Sequence, residues 1–508
     1  MHLSFLTAVL GLTAAGAASV FKPVKPMRSM KTMAEITGAA ANTGDVKQSW
    51  FDQLIDHSNP SLGTFKQRYY YSTAYYNGPG SPVSLDAPSE AALPPSRVDL
   101  SNATMPGFIA QNLAGAAIAL EHRFYGESTP IGSGSTPNTQ TLQPLTLENA
   151  IDDLVYFARN VKLPFDPDGL SHPDRAPWTL SGCSYSGALS AWTERLAPGT
   201  FWAYEAGSAV VEARDDLWQY YGVIGEALPQ NCSADWKLVM AHIDDVLMNG
   251  SDGDKADLKR NLGVVGASDQ NAAESAASWV SSWQSQQYFY GYTRPFQVCD
   301  YIENQLPEQY EPTPGAQGLG LDKALQGFFR YMQAGSGSSS PQDNSFDPWL
   351  WQLCNEPFEW WQTERAGTPL HMTTGYDTEE SQRNETCSLF PDVGNYKVGV
   401  KLGRNADTVN KLTGGWGVTN TTRLAWVNAE FDPWLYATVS SPDRPGGALQ
   451  STADAPVYWL RGTAHCNDYL TGNYAVNDDA RAMFDGVAAN MKQWADDFYK
   501  QHNITRPQ

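Results

Sequence analysis

Hydrophobic and polar positions alternate in short blocks between residues 46 and 213 of the 508-residue chain. The apolar run AAIAL at 116–120 leads into polar residues, and within 147–158 apolar positions recur at the three- and four-residue spacing of a helix. The run APWTL at 176–180 and the helical pattern ALSAWTERL at 188–196 repeat this order. Short buried strands that alternate with amphipathic helices are typical of parallel βαβ units. The pattern therefore predicts an α/β fold with a mainly parallel sheet.

The pattern changes between residues 214 and 395, where helical spacing and aromatic residues dominate. Strand-like runs return in RLAWVNAEFDPW at 423–434 and in APVYWLRGTAHCNDY at 455–469. We therefore predict a core formed by residues 46–213 and 396–508. The largely helical insertion between them is expected to form a cap over the carboxyl ends of the strands, where open α/β sheets bind ligands.

The N-terminal region has the features of a targeting segment. Residues 1–18 combine an apolar run with a small-residue end, as a secretory signal peptide does. Residues 19–45 are locally basic and unpatterned, which indicates a leader or a pro-segment. No later segment has 18 uninterrupted apolar residues, so we predict no membrane contact. We expect a protein secreted to the extracellular space rather than one kept in a lysosome- or vacuole-like compartment.

The composition agrees with export. Six cysteines fit an oxidising compartment, and six Asn-x-Ser/Thr sequons fit glycosylation there. The sequon asparagines are Asn102, Asn231, Asn249, Asn384, Asn420 and Asn503. A formal net charge of −21 disfavours nucleic acids and anionic membranes as partners. The negative charge favours function in acid, where protonation of carboxylates relieves the repulsion among them. The alternative is that the charge only keeps a secreted protein soluble.

A candidate nucleophile lies in the segment SGCSYSGALSAW, between an apolar run and a helical pattern. A strand, a sharp turn of small residues and a helix form the context of the nucleophile elbow G-x-S-x-G. Ser184 has Gly182 two positions before it and Gly187 three positions after it, whereas Ser181 and Ser186 lack this framing. Ser186 replaces the second glycine of the pattern and is small enough to be tolerated. We therefore predict that Ser184 is the nucleophile; the alternative is a small-residue turn without chemistry.

The chain order Ser, Asp, His of α/β-hydrolase triads limits the choice of the other two members. His465 directly follows the apolar run VYWLRG, whereas His502 lies in a polar tail. Asp432 follows the run LAWV one strand earlier, whereas Asp443 and Asp454 lie in loops rich in Pro, Gly and Ser. Asp432 and His465 are therefore the predicted partners, with an ordinary Asp-Pro turn as the alternative for Asp432.

These residues predict the chemistry of acyl transfer. His465 is expected to accept the proton of Ser184 as the serine attacks a carbonyl carbon, and Asp432 to hold the imidazole in the correct tautomer. The backbone N–H of Tyr185 and a donor from an earlier loop are expected to form the oxyanion hole. We expect no metal and no cofactor.

Two cysteines flank the predicted triad. Cys183 precedes the nucleophile and Cys466 follows the base, so a folded triad brings them close together. We predict a disulfide between them, with a buried free Cys183 as the alternative. The remaining cysteines would then pair as Cys232–Cys299 and Cys354–Cys387.

Five segments resemble the S28 family of serine peptidases, which includes lysosomal prolyl carboxypeptidase and fungal acid prolyl endopeptidases. They are FDQLIDHSNPSLGTFKQRYY (51–70), EHRFYGES (121–128), GCSYSGA (182–188), NAEFDPW (428–434) and GTAHCND (462–468). A sixth segment, WQLCNEPFEWWQ (351–362), is similar to the fungal endopeptidase branch. The resemblance implies an α/β-hydrolase core with a helical cap. It also implies an acid peptidase that cleaves proline-containing peptides on the carboxyl side of proline, with endopeptidase action.

The resemblance also implies substrate contacts. Trp434 and the pair Trp360 and Trp361 are expected to form a flat apolar pocket for the proline ring, with ordinary core positions as the alternative. Glu356 lies in the fungal-type segment, and Glu90 takes an acidic position of the family. Both are further candidate contacts.

Two other segments receive separate expectations. Glu121 and Arg123 of EHRFYGES are expected to form structural ion pairs beneath the site. Where relatives have a strand that ends in a Gly-Glu or Gly-Asn-Glu-Gly turn, this chain has SPVSLDAPSEAALP, with Asp86 inside the strand and Ser89 in place of glycine. This departure leaves the second oxyanion donor unassigned.

Three other functions stay open at the level of sequence. A prolyl exopeptidase of the same family would differ in a cap that selects a chain end. A tannase-like feruloyl esterase also has Cys-Ser, Asp and His-Cys elements, but it gives no account of EHRFYGES. A non-catalytic relative that binds peptides is the third, because the oxyanion segment is altered. The oligomeric state is not predicted.

Overall fold

The computed structural model describes residues 46–132, 136–306, 312–336, 348–357 and 361–507. The predicted signal peptide and leader therefore lie outside the described residues. Eight strands in the described ranges form one sheet: β1 (Lys47–Leu54), β2 (Thr64–Ser72), β3 (Val83–Asp86), β4 (Ala116–Leu120), β5 (Trp178–Cys183), β6 (Ala203–Gly207), β7 (Leu424–Ala429) and β8 (Val457–Leu460).

The strand order is β1-β2-β4-β3-β5-β6-β7-β8. β1 and β2 are antiparallel to each other, and β2 is antiparallel to β4. Every pairing from β4 to β8 is parallel. This order, with the nucleophile turn after β5, is that of an α/β-hydrolase and confirms the predicted fold class.

Thirteen α-helices lie in the described part of the chain. They are α1 (Met105–Leu113), α2 (Leu147–Asn160), α3 (Tyr185–Leu196), α4 (Gln219–Ala227), α5 (Gln230–Asn249), α6 (Asp252–Asn261), α7 (Asp269–Ala277), α8 (Arg294–Ile302), α9 (Leu321–Tyr331), α10 (Pro348–Asn355), α11 (Glu379–Cys387), α12 (Ala406–Thr413) and α13 (Asp478–His502). None of them combines the length and the apolar composition that a membrane span needs.

Different helices cover the two faces of the sheet, because strand side chains alternate between faces. On β7, Trp426 belongs to the core that includes Leu154 of α2 and Leu189 of α3. The next residue, Val427, belongs to a separate core with α1 and α13, where it joins Phe484. The site at the carboxyl ends of the strands is therefore supported from both faces.

The α-helices described between β6 and β7 are α4 to α12. Buried residues of these helices join the core that contains Leu154 and Leu189, and within it the rings of Trp236 and Trp279 pack edge to face with centroids 5.0 Å apart. The helical cap meets the sheet beside the site, where the indole N–H of Trp283 donates to the carbonyl oxygen of Phe431 at 2.9 Å. The cap boundaries at residues 214 and 395 stay predictions.

Candidate active site

The turn between β5 and α3 holds Ser184 in an unusual backbone conformation. Its φ is +62° and its ψ is −127°, a region that few non-glycine residues adopt. The N–H of Ser184 donates to the carbonyl oxygen of Gly207 at 2.9 Å. A serine in a strained turn between a strand and a helix is the geometry of a nucleophile elbow. The neighbouring Ser181 and Ser186 do not have this conformation.

The packing of the turn explains where glycine is required. A Cβ added to Gly182 would lie 2.7 Å from the backbone of Ser186, and one added to Gly187 would lie 2.6 Å from the carbonyl oxygen of Gly207. Ser186, which stands where the elbow pattern has glycine, donates its hydroxyl to the carbonyl oxygen of Pro88 at 3.1 Å. The serine therefore ties the nucleophile turn to the segment 87–93 that follows β3.

His465 follows β8 and Asp432 follows β7, so their side chains meet at the carboxyl edge of the sheet. Nδ1 of His465 lies 2.9 Å from Oδ1 of Asp432. Because a carboxylate only accepts, Nδ1 carries the proton and Nε2 is left as an acceptor. The backbone N–H of Trp434 also donates to this oxygen at 2.9 Å, and Asp432 is fully buried. Ser184 and His465 line one cavity, and among the described residues no hydrogen bond joins them.

The electrostatic surroundings of His465 favour its protonated form. Burial lowers the pKa of this imidazole, but the charge and hydrogen bond of Asp432 more than offset burial, so the pKa lies above its ordinary value. The carboxyl groups of Asp468 and Glu90 raise it further. An imidazolium that forms when His465 accepts a proton is therefore stabilised.

Two backbone segments border the position where an oxyanion would form. Tyr185, the residue after Ser184, is the first residue of α3, and the backbone N–H of the residue after the nucleophile is an oxyanion donor in a nucleophile elbow. On the other side, the N–H of Ala87 donates to the carbonyl oxygen of Ser181 at 2.8 Å, and Pro88 has no N–H. A second donor from this segment must therefore come from residue 89 or beyond.

The cavity beside the triad has a volume of about 780 Å³. One wall is aromatic: the rings of Trp434 and Tyr220 lie with centroids 5.0 Å apart. The indole N–H of Trp434 and the hydroxyl of Tyr220 both donate to Oε1 of Gln284, at 3.0 and 2.9 Å. These bonds hold both rings against the site.

Comparisons with known proteins agree with this geometry. Residues 53–308 match the family model described as serine carboxypeptidase S28. The serine protease vicPa of Bipolaris victoriae is 34% identical to the chain and covers 100% of it, with 97% of the relative aligned. The chain belongs to the S28 family of serine peptidases. The S28 chain is also similar to vicPb of the same fungus, at 35% identity over 90% of each chain. A third relative, from Arthroderma benhamiae, is named a probable extracellular serine carboxypeptidase; it is 25% identical over 78% of this chain and 59% of its own.

The substrate contacts predicted for this S28 peptidase fall into three groups. Trp434, Trp361 and Glu90 line the cavity that contains Ser184 and His465. Trp360 lies outside the described residues. Glu356 is not among the residues that line the cavity; its Oε2 accepts the N–H of Leu147 at 2.6 Å, which caps the start of α2.

The structure contains the disulfide Cys183–Cys466, which joins the residues beside the nucleophile and the base. The cap contains Cys232–Cys299, between α5 and α8, and Cys354–Cys387, between α10 and α11. The sulfur atoms of Cys183 and Cys466 lie within 4.8 Å of a ring nitrogen of His465, but in a disulfide neither is a thiolate that could bind a metal.

A set of buried carboxyl groups beneath the triad was not predicted as a group. Glu205 of β6 and Asp468 are both buried, and burial raises the pKa of Glu205 well above its ordinary value, with the charge of Asp468 adding to the effect. Burial raises the pKa of Asp468 to about 6. Gly207 must be glycine here, since its Cβ would lie 1.6 Å from Oδ2 of Asp468. The signal in the sequence was one glutamate inside the apolar strand AYEAG.

Residues of the segment EHRFYGES have partners that the sequence analysis did not name. Glu121 pairs with Arg68, and Arg123 pairs with Asp153; all four side chains are nearly inaccessible. His122, which received no role, contacts the hydroxyl of Tyr185 through Nε2 at 2.8 Å.

Proposed function

We propose that this S28 peptidase is a secreted acid prolyl endopeptidase that acts through Ser184, Asp432 and His465. The observation that carries the proposal is the hydrogen bond between His465 Nδ1 and Asp432 beside a serine in the strained elbow. It leaves Nε2 of His465 available to the nucleophile, in a cavity with an aromatic wall.

The proposed reaction uses these groups in two steps. Ser184 Oγ attacks the substrate carbonyl carbon while His465 Nε2 takes the serine proton, and the N–H of Tyr185 donates to the resulting oxyanion. Collapse breaks the C–N bond as His465 returns the proton to the leaving nitrogen, which leaves an acyl ester on Ser184. Water then attacks the ester carbonyl carbon as His465 takes a proton from the water, the C–O bond to Ser184 breaks, and His465 returns the proton to Ser184 Oγ as the acid product departs. Asp432 keeps its charge throughout and stabilises the imidazolium.

Specificity for proline is proposed from the aromatic wall. The proline ring is apolar and compact, and the rings of Trp434 and Tyr220, which pack edge to face, offer it an apolar surface beside His465, whose ring centroid lies 6.3 Å from that of Trp434. Trp434 also donates its backbone N–H to Asp432, so the pocket wall and the triad share one turn. A ring that fits this wall is thereby held at a fixed position relative to the base.

Function in acid is proposed from the buried carboxyl groups. Burial raises the pKa of Asp86 to about 7 and that of Asp468 to about 6, and it raises the pKa of Glu90. When these carboxyl groups are protonated they carry no charge, so their burial costs little free energy of folding. Protonation of Asp468 and Glu90 also removes two of the charges that raise the pKa of His465, which leaves Asp432 as the main cause of the raised pKa. Secretion is supported by the three disulfides and by the name of the Arthroderma relative.

A carboxypeptidase of the same family is the second candidate, because the guanidinium-bearing residue Arg97 is among the described residues that line the cavity. A guanidinium binds the terminal carboxylate of a peptide through charge-assisted hydrogen bonds. If Arg97 selects substrates in this way, the enzyme would remove residues that follow proline at a free C-terminus.

The test uses a proline-containing peptide blocked at both ends, incubated at about pH 4.5 and analysed by mass spectrometry. We expect cleavage after proline by the wild-type protein and by Ser58→Ala, an exposed serine between β1 and β2, and none by Ser184→Ala. Cleavage only of peptides with a free C-terminus, abolished by Arg97→Ala, would replace the endopeptidase by the carboxypeptidase. Cleavage of feruloyl esters without peptides would refute both.

A further inference from the structure

His122 lies in the family-like segment EHRFYGES and takes no part in the triad. It is 1% exposed, and its Nδ1 lies 2.8 Å from the carbonyl oxygen of Arg123. Because a carbonyl oxygen only accepts, Nδ1 carries the proton and Nε2 is an acceptor. Nε2 lies 2.8 Å from the hydroxyl of Tyr185, so the phenol donates to His122.

The hydroxyl of Tyr185 also accepts a hydrogen bond from the helical cap. Gln352 of α10, which is 1% exposed, donates its side-chain amide to the hydroxyl of Tyr185 at 3.3 Å. The amide is oriented in turn by Tyr125, whose hydroxyl donates to Oε1 of Gln352 at 2.7 Å. Tyr185 therefore has one hydrogen bond to the core segment EHRFYGES and one to the helical insertion, and its side chain is fully buried.

This phenol belongs to the residue whose backbone N–H faces the developing oxyanion in the proposed mechanism. Ser184, one residue earlier, has a strained backbone, and such a conformation persists only where the surroundings fix it. A fully buried ring with two hydrogen bonds fixes the first residue of α3, and with it the direction of the N–H. Burial lowers the pKa of His122 to about 4, so the ring stays a neutral acceptor through most of the acid range.

A second residue of EHRFYGES, Glu121, contacts the other backbone segment that borders the oxyanion position. Glu121 accepts the backbone N–H of Leu93 on Oε1 at 2.8 Å, and its Oε2 accepts the hydroxyl of Ser128 at 2.6 Å. Leu93 ends the segment 87–93, from which a second oxyanion donor must come. EHRFYGES thus contacts both backbone segments that border the oxyanion position.

We propose that His122 and Gln352 are positioning residues of the oxyanion hole, which act through the hydroxyl of Tyr185 on the direction of its backbone N–H. The inference rests on the proposed function of Ser184 and Tyr185. It gives the segment EHRFYGES, whose residues Glu121 and His122 also line the cavity, a role in the rate of the chemical step.

Tyr185→Phe is the decisive variant, because it keeps the backbone N–H and the ring and removes only the hydroxyl. Loss of an oxyanion donor costs about 10²- to 10³-fold in kcat, so a misdirected donor should cost about 10- to 100-fold, with KM changed less than about twofold. His122→Leu should show the same loss. His122→Gln, whose amide oxygen can accept the hydroxyl proton, should recover part of it.

Tyr499→Phe is the matched control. Tyr499 of α13 is 3% exposed and donates its hydroxyl to the carbonyl oxygen of Gly80 at 2.7 Å. It should lose stability without losing kcat. A peptide aldehyde provides a second readout, since its tetrahedral adduct with serine presents an oxyanion. Its affinity should fall in Tyr185→Phe by the same factor as kcat/KM, whereas the affinity of the non-covalent cleavage product should not change.

The outcomes separate the inference from the proposed function. A kcat of Tyr185→Phe equal to that of Tyr499→Phe, or a loss confined to KM, would overturn the positioning role while Ser184→Ala stays inactive. Full activity of Ser184→Ala would overturn the proposed function itself.

Discussion

Replacing Asp86 by asparagine should flatten the pH dependence of stability, because the fold partly buries this carboxyl group next to others. In the register of the sheet, Asp86 of β3 pairs with Ser181 of β5, and Ser181 pairs with Glu205 of β6. Residues paired in this way project from the same face. Asp468 lies beside Glu205, and Tyr469 donates its hydroxyl to Oδ2 of Asp86 at 2.9 Å.

The magnitude follows from the pKa of Asp86. Burial raises this pKa from 3.8 to about 7, although the hydrogen bond from Tyr469 lowers it. Between about pH 4 and pH 7 the folded state therefore binds more protons than the unfolded chain, so the free energy of unfolding falls as pH rises through this window. Each pKa unit is worth about 1.4 kcal/mol, so Asp86 lowers the free energy of unfolding by up to about 4 kcal/mol between pH 4 and pH 8.

Urea unfolding followed by tryptophan fluorescence at about pH 4, 6 and 8 measures this effect. Asp86→Asn cannot ionise and can still accept the Tyr469 hydroxyl, so it should match the wild type at pH 4 and exceed it by up to about 4 kcal/mol at pH 8. The control Asp168→Asn, which also removes one charge but at an exposed position, should follow the wild type at every pH. Parallel pH profiles for the wild type and Asp86→Asn would show that ionisation of Asp86 does not cause the pH dependence of stability.

Two further substitutions test the triad and the pocket. Asp432→Asn should lower kcat about 10⁴-fold with little change in circular dichroism, because the amide favours the wrong tautomer of His465; a loss below tenfold would contradict the triad. Trp434→Ala should lower kcat/KM for a substrate with proline before the scissile bond about 10- to 200-fold more than for its alanine counterpart. An equal loss for the two substrates would show that Trp434 does not select proline.

Local features of the chain were sufficient to predict the sheet and the turn around Ser184. The apolar run before Cys183, the small residues of the turn and the helical pattern after it each act within a few residues, and hydrophobic spacing reports them directly. The carboxyl group of Asp432 and the imidazole of His465 could be placed because each residue follows an apolar strand in a known chain order.

Contacts between distant positions could not be predicted in this way. The carboxylate of Glu356, a candidate substrate contact, caps a helix whose first residue, Leu147, lies 209 positions away. The hydrogen bond of Gln352 to Tyr185 spans 167 positions, and nothing in either local pattern indicates it. Such contacts depend on how the cap packs on the sheet, which periodicity does not encode.

Labelling with a fluorophosphonate followed by peptide mapping shows whether Ser184 forms the acyl-enzyme. We predict a single phosphonyl adduct on Ser184 that appears as activity is lost, that is missing in Ser184→Ala, and that forms more slowly in His465→Ala. An adduct on another residue that accounts for the loss of activity, or full activity of the Ser184→Ala variant, would show that Ser184 is not the nucleophile.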